Sequence, residues 1–330
     1  MSDATRRDFL KAAAASLAWA SVHSSIVDAQ ETTPGGLPTR PLGRSKERVS
    51  IVGIGGYHIA IPPEDEAIRL MHEAIDQGVT FFDNAWDYHN GKAEELMGKA
   101  LATGGRRNKV FLMTKACNRD YAGCMKHLED SLRRLRTDHL DLWQFHEVNW
   151  PDAPDMIFEK GGIKAALEAQ KAGKVRMIGF TGHKDIDHHL KMLSKSFAWD
   201  TCQMPINILD AHYRSFQKEV APKCLEQGIS VIGMKGLASG TVARKLGLSA
   251  PACRRYALSL PISTLVCGIT SREELLQDIA VARDFKPMTP DEIGKMLAET
   301  RESGARGEFE RYKTTTDYNG VYHRKQHGDA

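Results

Sequence analysis

From Val49 onward the chain repeats one unit. A short run rich in β-branched and aromatic residues is followed by a longer stretch with helical spacing. Eight such runs are present: VSIVGIGG (Val49–Gly56), VTFFD (Val79–Asp83), KVFLMTK (Lys109–Lys115), HLDLWQFH (His139–His146), KVRMIGFTG (Lys174–Gly182), TCQMP (Thr201–Pro205), ISVIGMK (Ile229–Lys235) and STLVCGI (Ser263–Ile269). The stretch PEDEAIRLMHEAIDQG shows the helical half of the unit. It carries Ile68, Met71, Ala74 and Ile75 on one face, acids in its first turn, and Gly78 at its end. Eight alternations in roughly 250 residues predict an α/β fold of the closed (β/α)8 TIM-barrel type rather than an open doubly wound sheet. An open dinucleotide-binding sheet would place GxGxxG after the first strand, and GIGGYHIA does not supply it.

Such barrels carry their chemistry at the C-terminal ends of the strands. Strand two ends in Asp83, strand three in Lys115, strand four in His146 and strand five in Thr181, while strand six contains Gln203. Side chains alternate faces along a strand, so Phe81 shares a face with Asp83, Phe111 and Met113 with Lys115, and Leu142 and Gln144 with His146. Tyr88 follows Asp83 in the loop leaving strand two. Alone, each of these residues has an ordinary structural reading as a cap, a solvated charge, a core histidine or rim packing. Together they suit reversible carbonyl reduction. A neighbouring ammonium is expected to lower the tyrosine pKa from about 10, so that the phenol exchanges a proton near neutral pH. Asp83 would hold Lys115, and His146 would donate to the carbonyl oxygen.

Composition removes several other functions. Lys and Arg number 45 against 42 Asp and Glu, a net charge of +3, which gives no reason to expect nucleic acid or an anionic membrane as partner. After the N-terminus no apolar run is long enough to span a bilayer. The six cysteines form no CxxC pair and read as small buried apolar residues, with a redox role open for Cys117 alone because of nearby Lys115. HKDIDHHL has three histidines without metal-site spacing, and no metal is expected. Trp86 and Trp150, in barrel-top loops, are candidates to line an apolar substrate pocket, while Trp143 and Tyr57 read mostly as packing.

At this point the chain resembles the aldo-keto reductase family from about Thr39 to about Phe285. The resemblance rests on PLGRSKERVSIVGIGG, FFDNAWDYHNGKAEELMGKAL, FLMTK, DHLDLWQFH and GKVRMIGFTGH. It implies an N-terminal hairpin before the barrel, a catalytic tetrad of Asp83, Tyr88, Lys115 and His146, and hydride donation by NADPH, with NADH as the alternative. By the same resemblance Thr181 and Gln203 would hold the nicotinamide carboxamide. Gly182 stands where the family usually has Asn, with His183 as a compensating residue. Met234 stands where relatives often have a stacking aromatic, and Lys235 is placed to reach the pyrophosphate. Gly56, Tyr57, Leu237, Gly268, Thr270, Arg272 and Asp278 complete the expected cofactor contacts, with a helix N-terminus near phosphate. Arg272 would pair with a 2′-phosphate, while Glu274 falls where relatives often carry Arg or Gln and would repel it.

The ends of the chain carry separate readings. TRRDFLK, followed by an alanine-rich apolar stretch, resembles a twin-arginine export signal, whose route carries folded proteins. Residues 1–29 are expected to be removed after Ala29, placing the protein in the periplasm or otherwise outside the cytoplasm after loading its cofactor. Residues 30–46 read as a linker that runs into the hairpin, 47–304 as the barrel with an extra C-terminal helix, and 305–330 as a polar tail with Phe309, Tyr312, Tyr318 and Tyr322. The tail suits either solvent or a position over the barrel mouth. The expected partners are the export machinery and a small carbonyl or alcohol substrate. Two other functions stay open: a nicotinamide-binding regulatory or sensor protein with little turnover, as in the family's potassium-channel β subunits, and an exported barrel hydrolase or lyase. The latter lacks a carboxylate pair or metal cluster.

Overall fold

The structure is a computed structural model that describes residues 31–318 except Lys46, together with 321–326 and 328. The proposed export signal lies outside the described residues. Ten strands are present among them. β1 (Thr39–Pro41) and β2 (Arg48–Ser50) form an antiparallel hairpin. β3 (Val52–Gly55), β4 (Phe81–Asp83), β5 (Phe111–Ala116), β6 (Leu140–Phe145), β7 (Val175–Thr181), β8 (Thr201–Pro205), β9 (Ser230–Met234) and β10 (Thr264–Cys267) form a closed parallel barrel in which β10 pairs with β3. All eight strands expected from the sequence are there. The run VSIVGIGG is divided between two of them: Val49 and Ser50 belong to the hairpin, and Val52 starts the barrel.

The alternation of side chains sets the contents of the barrel. Phe81, Phe111, Met113, Leu142, Met177 and Ile232 point inward and pack with Leu42 and Val49 of the hairpin region. A second, larger apolar layer lies between the strands and the outer helices. It is filled by faces such as Ala67, Leu70, Met71 and Ala74 of the helix Glu64–Asp76.

The segment expected to be a linker is ordered from Glu31 onward. Leu37 is buried, and the Arg40 guanidinium is fully enclosed, donating to the carbonyls of Leu258 (2.7 Å) and Ile262 (2.8 Å) just before β10. A buried arginine requires such acceptors, and they fix the hairpin under the N-terminal end of the barrel.

The opposite end receives the C-terminal residues. After the helix Pro290–Gly304, which opens with a Thr289–Glu292 capping box, the chain returns across the mouth. Lys313 is buried there between Asp210 (2.6 Å) and Glu310 (2.8 Å), and the Tyr312 hydroxyl meets Asn207 at 2.9 Å. These buried, mutually satisfied charges hold the tail over the barrel. Among the described residues, no helix is long and apolar enough to cross a membrane.

Candidate active site

The C-terminal ends of the strands surround a cavity of about 960 Å³. Asp83, Tyr88, Lys115 and His146 all line it. The Lys115 ammonium, buried, is ion-paired with Asp83 and also donates to the Asn84 carbonyl at 2.6 Å. It lies 4.9 Å from the centre of the Tyr88 ring. His146 meets the same ring edge-on, with centroids 5.5 Å apart. The four residues that the sequence places on three strands and one loop therefore converge.

The electrostatics differ from the sequence expectation at Tyr88. Burial pushes the phenol well above its ordinary value, and the Asp83 carboxylate pushes in the same direction. Lys115 is committed to Asp83 and Asn84, so its charge is largely matched before it reaches the phenol. Tyr88 is thus a phenol that stays protonated, suited to giving a proton rather than to resting as tyrosinate.

His146 is held from its other side. Its Nδ1 lies 3.0 Å from Asp87 Oδ1 and 3.5 Å from Cys117 Sγ. Burial works to raise the Asp87 carboxyl, but the imidazole beside it prevails and keeps it below the usual carboxylate range. With Nδ1 facing a carboxylate, the ring is fixed in orientation and its Nε2 edge is free to face the cavity. Arg119 staples the same loop, donating to the carbonyls of Cys117 (3.0 Å) and Glu147 (3.1 Å). Burial, with Asp87 and Glu147 adding to it, pushes the Cys117 thiol well above its ordinary value, so the redox role considered for Cys117 gains no thiolate. Asp87, Cys117 and His146 place ligand-type atoms within 4.8 Å of one another, and the contacts just described account for the arrangement.

The cofactor positions divide into two groups. Gly56, Tyr57, Thr181, Gln203, Met234, Lys235, Leu237, Gly268 and Thr270 line the cavity. Gln203 gives its amide N–H to Asp83 Oδ2 at 2.5 Å, which leaves Oε1 buried without a partner among the described residues. An orphaned acceptor at this point suits the N–H of a carboxamide. Gly268 is a close-approach position, since a Cβ there would stand 2.6 Å from the His58 ring. Gly182 replaces the family's Asn for a local reason: a Cβ there would meet the Val148 carbonyl at 2.9 Å. The buried Asn149 amide meets His183 instead: its Oδ1 accepts from the His183 backbone at 3.1 Å, and its Nδ2 lies 3.3 Å from His183 Nε2.

Four expected residues are not brought to the cavity. Arg272 is paired with Glu73 of the helix Glu64–Asp76 at 2.7 Å, facing away. Asp278 is buried in a bidentate pair with Arg254, at 2.9 and 3.2 Å. Trp86 stacks on His127 at 3.7 Å and donates to Asp130, and Trp150 packs beneath Arg324 at 5.5 Å. Neither tryptophan lines the cavity; Asp87, His89, Asn90, Glu147 and His183 do, together with Tyr57, whose ring meets Tyr88 edge-on at 5.5 Å. Asp87 and Glu147 each adjoin a recognised residue, and their neighbours Tyr88 and His146 were the signal that pointed to them. The histidine-rich run splits: His183 lines the cavity, while His189 is buried between Phe180 and Phe216.

The sequence pattern of the Aldo/keto reductase family matches residues 51–255. The chain belongs to the aldo-keto reductase family. It is 33% identical to the oxidoreductase YrpG of Bacillus subtilis over 229 residues, covering 62% of this chain and 68% of that protein. It is 30% identical to the aldo-keto reductase YhdN of the same organism over 203 residues, covering 58% of each. Among solved structures, the holo form of the aldo-keto reductase AKR11C1 from Bacillus halodurans superposes with a TM-score of 0.68 at 25% identity, covering 83% of this chain and 99% of that one. These aldo-keto reductase relatives make the chain an oxidoreductase and agree with the barrel described above.

Proposed function

We propose that this aldo-keto reductase reduces a carbonyl compound to an alcohol, reversibly, with Tyr88 as proton donor and a reduced nicotinamide as cofactor. When bound, the cofactor supplies the hydride that reaches the carbonyl carbon. Gln203 Oε1 and Thr181 are the groups that would hold it. His146, oriented by Asp87, donates to the carbonyl oxygen and stabilises the charge that develops there. Tyr88 then passes its hydroxyl proton to that oxygen and recovers one from solvent. Lys115, held by Asp83, faces the Tyr88 ring at 4.9 Å and fixes its position at the cavity wall.

The observation that carries this reading is Tyr88 itself, a protonated phenol between Lys115 and His146 at the cavity wall. Tyr88→Phe keeps the ring and removes the proton. Carbonyl-dependent oxidation of NADH or NADPH is expected to fall by about two to four orders of magnitude. Reduction near the parent rate in that variant would overturn the assignment.

For cofactor choice we favour NADH. Glu274 lines the cavity, whereas Arg272 is paired with Glu73 outside it, and a carboxylate at the cavity edge disfavours a 2′-phosphate. The proposal also retains export. TRRDFLK and the Ala29 site support translocation of the folded protein to the periplasm with its cofactor already bound. Cell fractionation of Arg6→Lys/Arg7→Lys tests this, and unchanged export in the double variant would remove it.

A further inference from the structure

Two residues at strand ends face the cavity in the left-handed backbone region that favours glycine. Glu147 follows β6 with φ of 50°, and Lys235 follows β9 with φ of 55°. Such residues persist where surrounding structure forces them, and they gather at ligand sites. Here the surroundings are specific. The Lys235 ammonium lies 5.0 Å from the centre of the Tyr312 ring and 5.2 Å from that of Tyr318. Both rings come from the C-terminal segment, and Tyr312 is anchored to Asn207 and Glu310. The tail therefore fixes the ammonium at the mouth. Ring faces attract its charge but leave its N–H donors open to an oxygen ligand.

We propose that Lys235 selects carbonyl substrates that carry a carboxylate, binding that carboxylate while Tyr88 and His146 address the carbonyl. This rests on the oxidoreductase reading above. The titratable groups around Lys235 are Glu147, His183, Tyr312, Tyr318 and His58, and Arg254 also lines the cavity and lies near His58. His183 stands 3.8 Å from Glu147 and contacts both tyrosines edge-on. Arg254 is matched by Asp278. Burial lowers the lysine to about 8 against the pull of Glu147, and lowers His183 to about 4. At neutral pH the lysine is thus charged and the histidine is not. The charge of Lys235 is lost as pH rises through about 8.

Benzoate and benzamide, alike in shape and different in charge, test the site without turnover. Calorimetry on the purified protein at pH 7 is expected to show benzoate binding about 10- to 100-fold more tightly. The preference shrinks toward unity at pH 9.5. It is lost at pH 7 in Lys235→Met, and it survives at pH 9.5 in Lys235→Arg. The ratio of kcat/KM for 4-carboxybenzaldehyde over benzaldehyde follows the same pattern. Undetectable benzoate binding, equal affinities at pH 7, or a benzoate preference that outlasts Lys235→Met overturns the proposal. So does a Lys235→Met variant that weakens NADH binding while the ratio stays put. The pH series on the parent decides the matter should that variant misfold. If neither aldehyde is turned over but benzoate preference holds, the oxidoreductase reading has failed and the anion site has not.

Discussion

At the N-terminal end of the barrel, Leu42 and Val49 close over Phe81, Phe111 and Met113, and the Arg40 guanidinium there is matched to backbone carbonyls. At the C-terminal end, Asp83, Asp87, Lys115, Glu147 and Lys235 line one open cavity. Eight non-glycine residues have positive φ among the described residues, and five of them (His89, Asn90, Glu147, Lys235 and Ser239) line that cavity. One end spends its interactions on closure. The other holds charges and backbone strain that weaken the fold and become useful only with a ligand present. The same eight strands serve both, because a parallel barrel brings all its strand C-termini to one face.

A pair of substitutions separates the two ends most sharply. Tyr88→Phe, at the mouth, is expected to lose about two to four orders of magnitude in carbonyl reduction while its melting temperature stays within a few degrees of the parent. Arg40→Ala, at the base, strands two carbonyls that a guanidinium now satisfies. It is expected to cost about 3 kcal/mol of stability while leaving kcat of the folded fraction unchanged. Chemical denaturation and steady-state kinetics on both proteins check the contrast. A base variant that loses kcat without losing stability would break it.

Within the mouth, the division between residues that react and residues that position predicts a smaller effect. Asp87 holds the His146 imidazole through Nδ1 at 3.0 Å. Asp87→Asn is expected to lower kcat/KM by about 10- to 100-fold with KM nearly unchanged, because the imidazole loses a charged anchor and not a binding contact. Asp87→Glu should restore part of the loss. A rise in KM at constant kcat would instead place Asp87 on the substrate.

Much of this was legible in the sequence, and the pattern of what was not is physical. The strand ends Asp83, Lys115 and His146 follow from alternation along a strand, a rule that acts over two residues and survives any tertiary context. Tyr88 followed as a short loop residue. The lining beyond them depends on loop paths. Trp86 points back onto His127 although it lies two residues from Tyr88, and Trp150 is covered by the tail residue Arg324. Neither contact has a local signal. The direction of the Tyr88 shift was also out of reach: a lysine beside a phenol predicts a lowered value, whereas complete enclosure of the phenol raises it and the Asp83 carboxylate, paired with that lysine, pushes the same way. Residues 30–46 read as a linker running into the hairpin because Pro, Gly and Thr predominate, yet Leu37 is buried and Arg40 finds buried partners far along the chain.

The smallest expected effect concerns the outer edge of the mouth, where the helix Arg272–Arg283 begins. Positions two apart on a helix face opposite sides. Arg272 accordingly turns to Glu73, while the Glu274 carboxylate accepts from the Thr270 backbone N–H at 2.7 Å and its hydroxyl at 2.9 Å, beside the cavity. A ribose hydroxyl can donate to that carboxylate, whereas a 2′-phosphate meets a like charge. NADH is therefore expected to bind about tenfold more tightly than NADPH at low salt, with the difference shrinking as ionic strength rises. Glu274→Gln should narrow the gap, since it keeps a hydrogen-bonding oxygen for Thr270 and removes the charge. Arg272→Ala should move both dissociation constants by less than about twofold, because its exposed pair with Glu73 is screened by solvent and lies outside the site. Fluorescence titration of both cofactors into the three proteins reads each constant directly. Tighter NADPH binding in the parent that weakens in Arg272→Ala would show that the arginine leaves Glu73 to take the phosphate, and the charged edge of the mouth would then select the opposite cofactor.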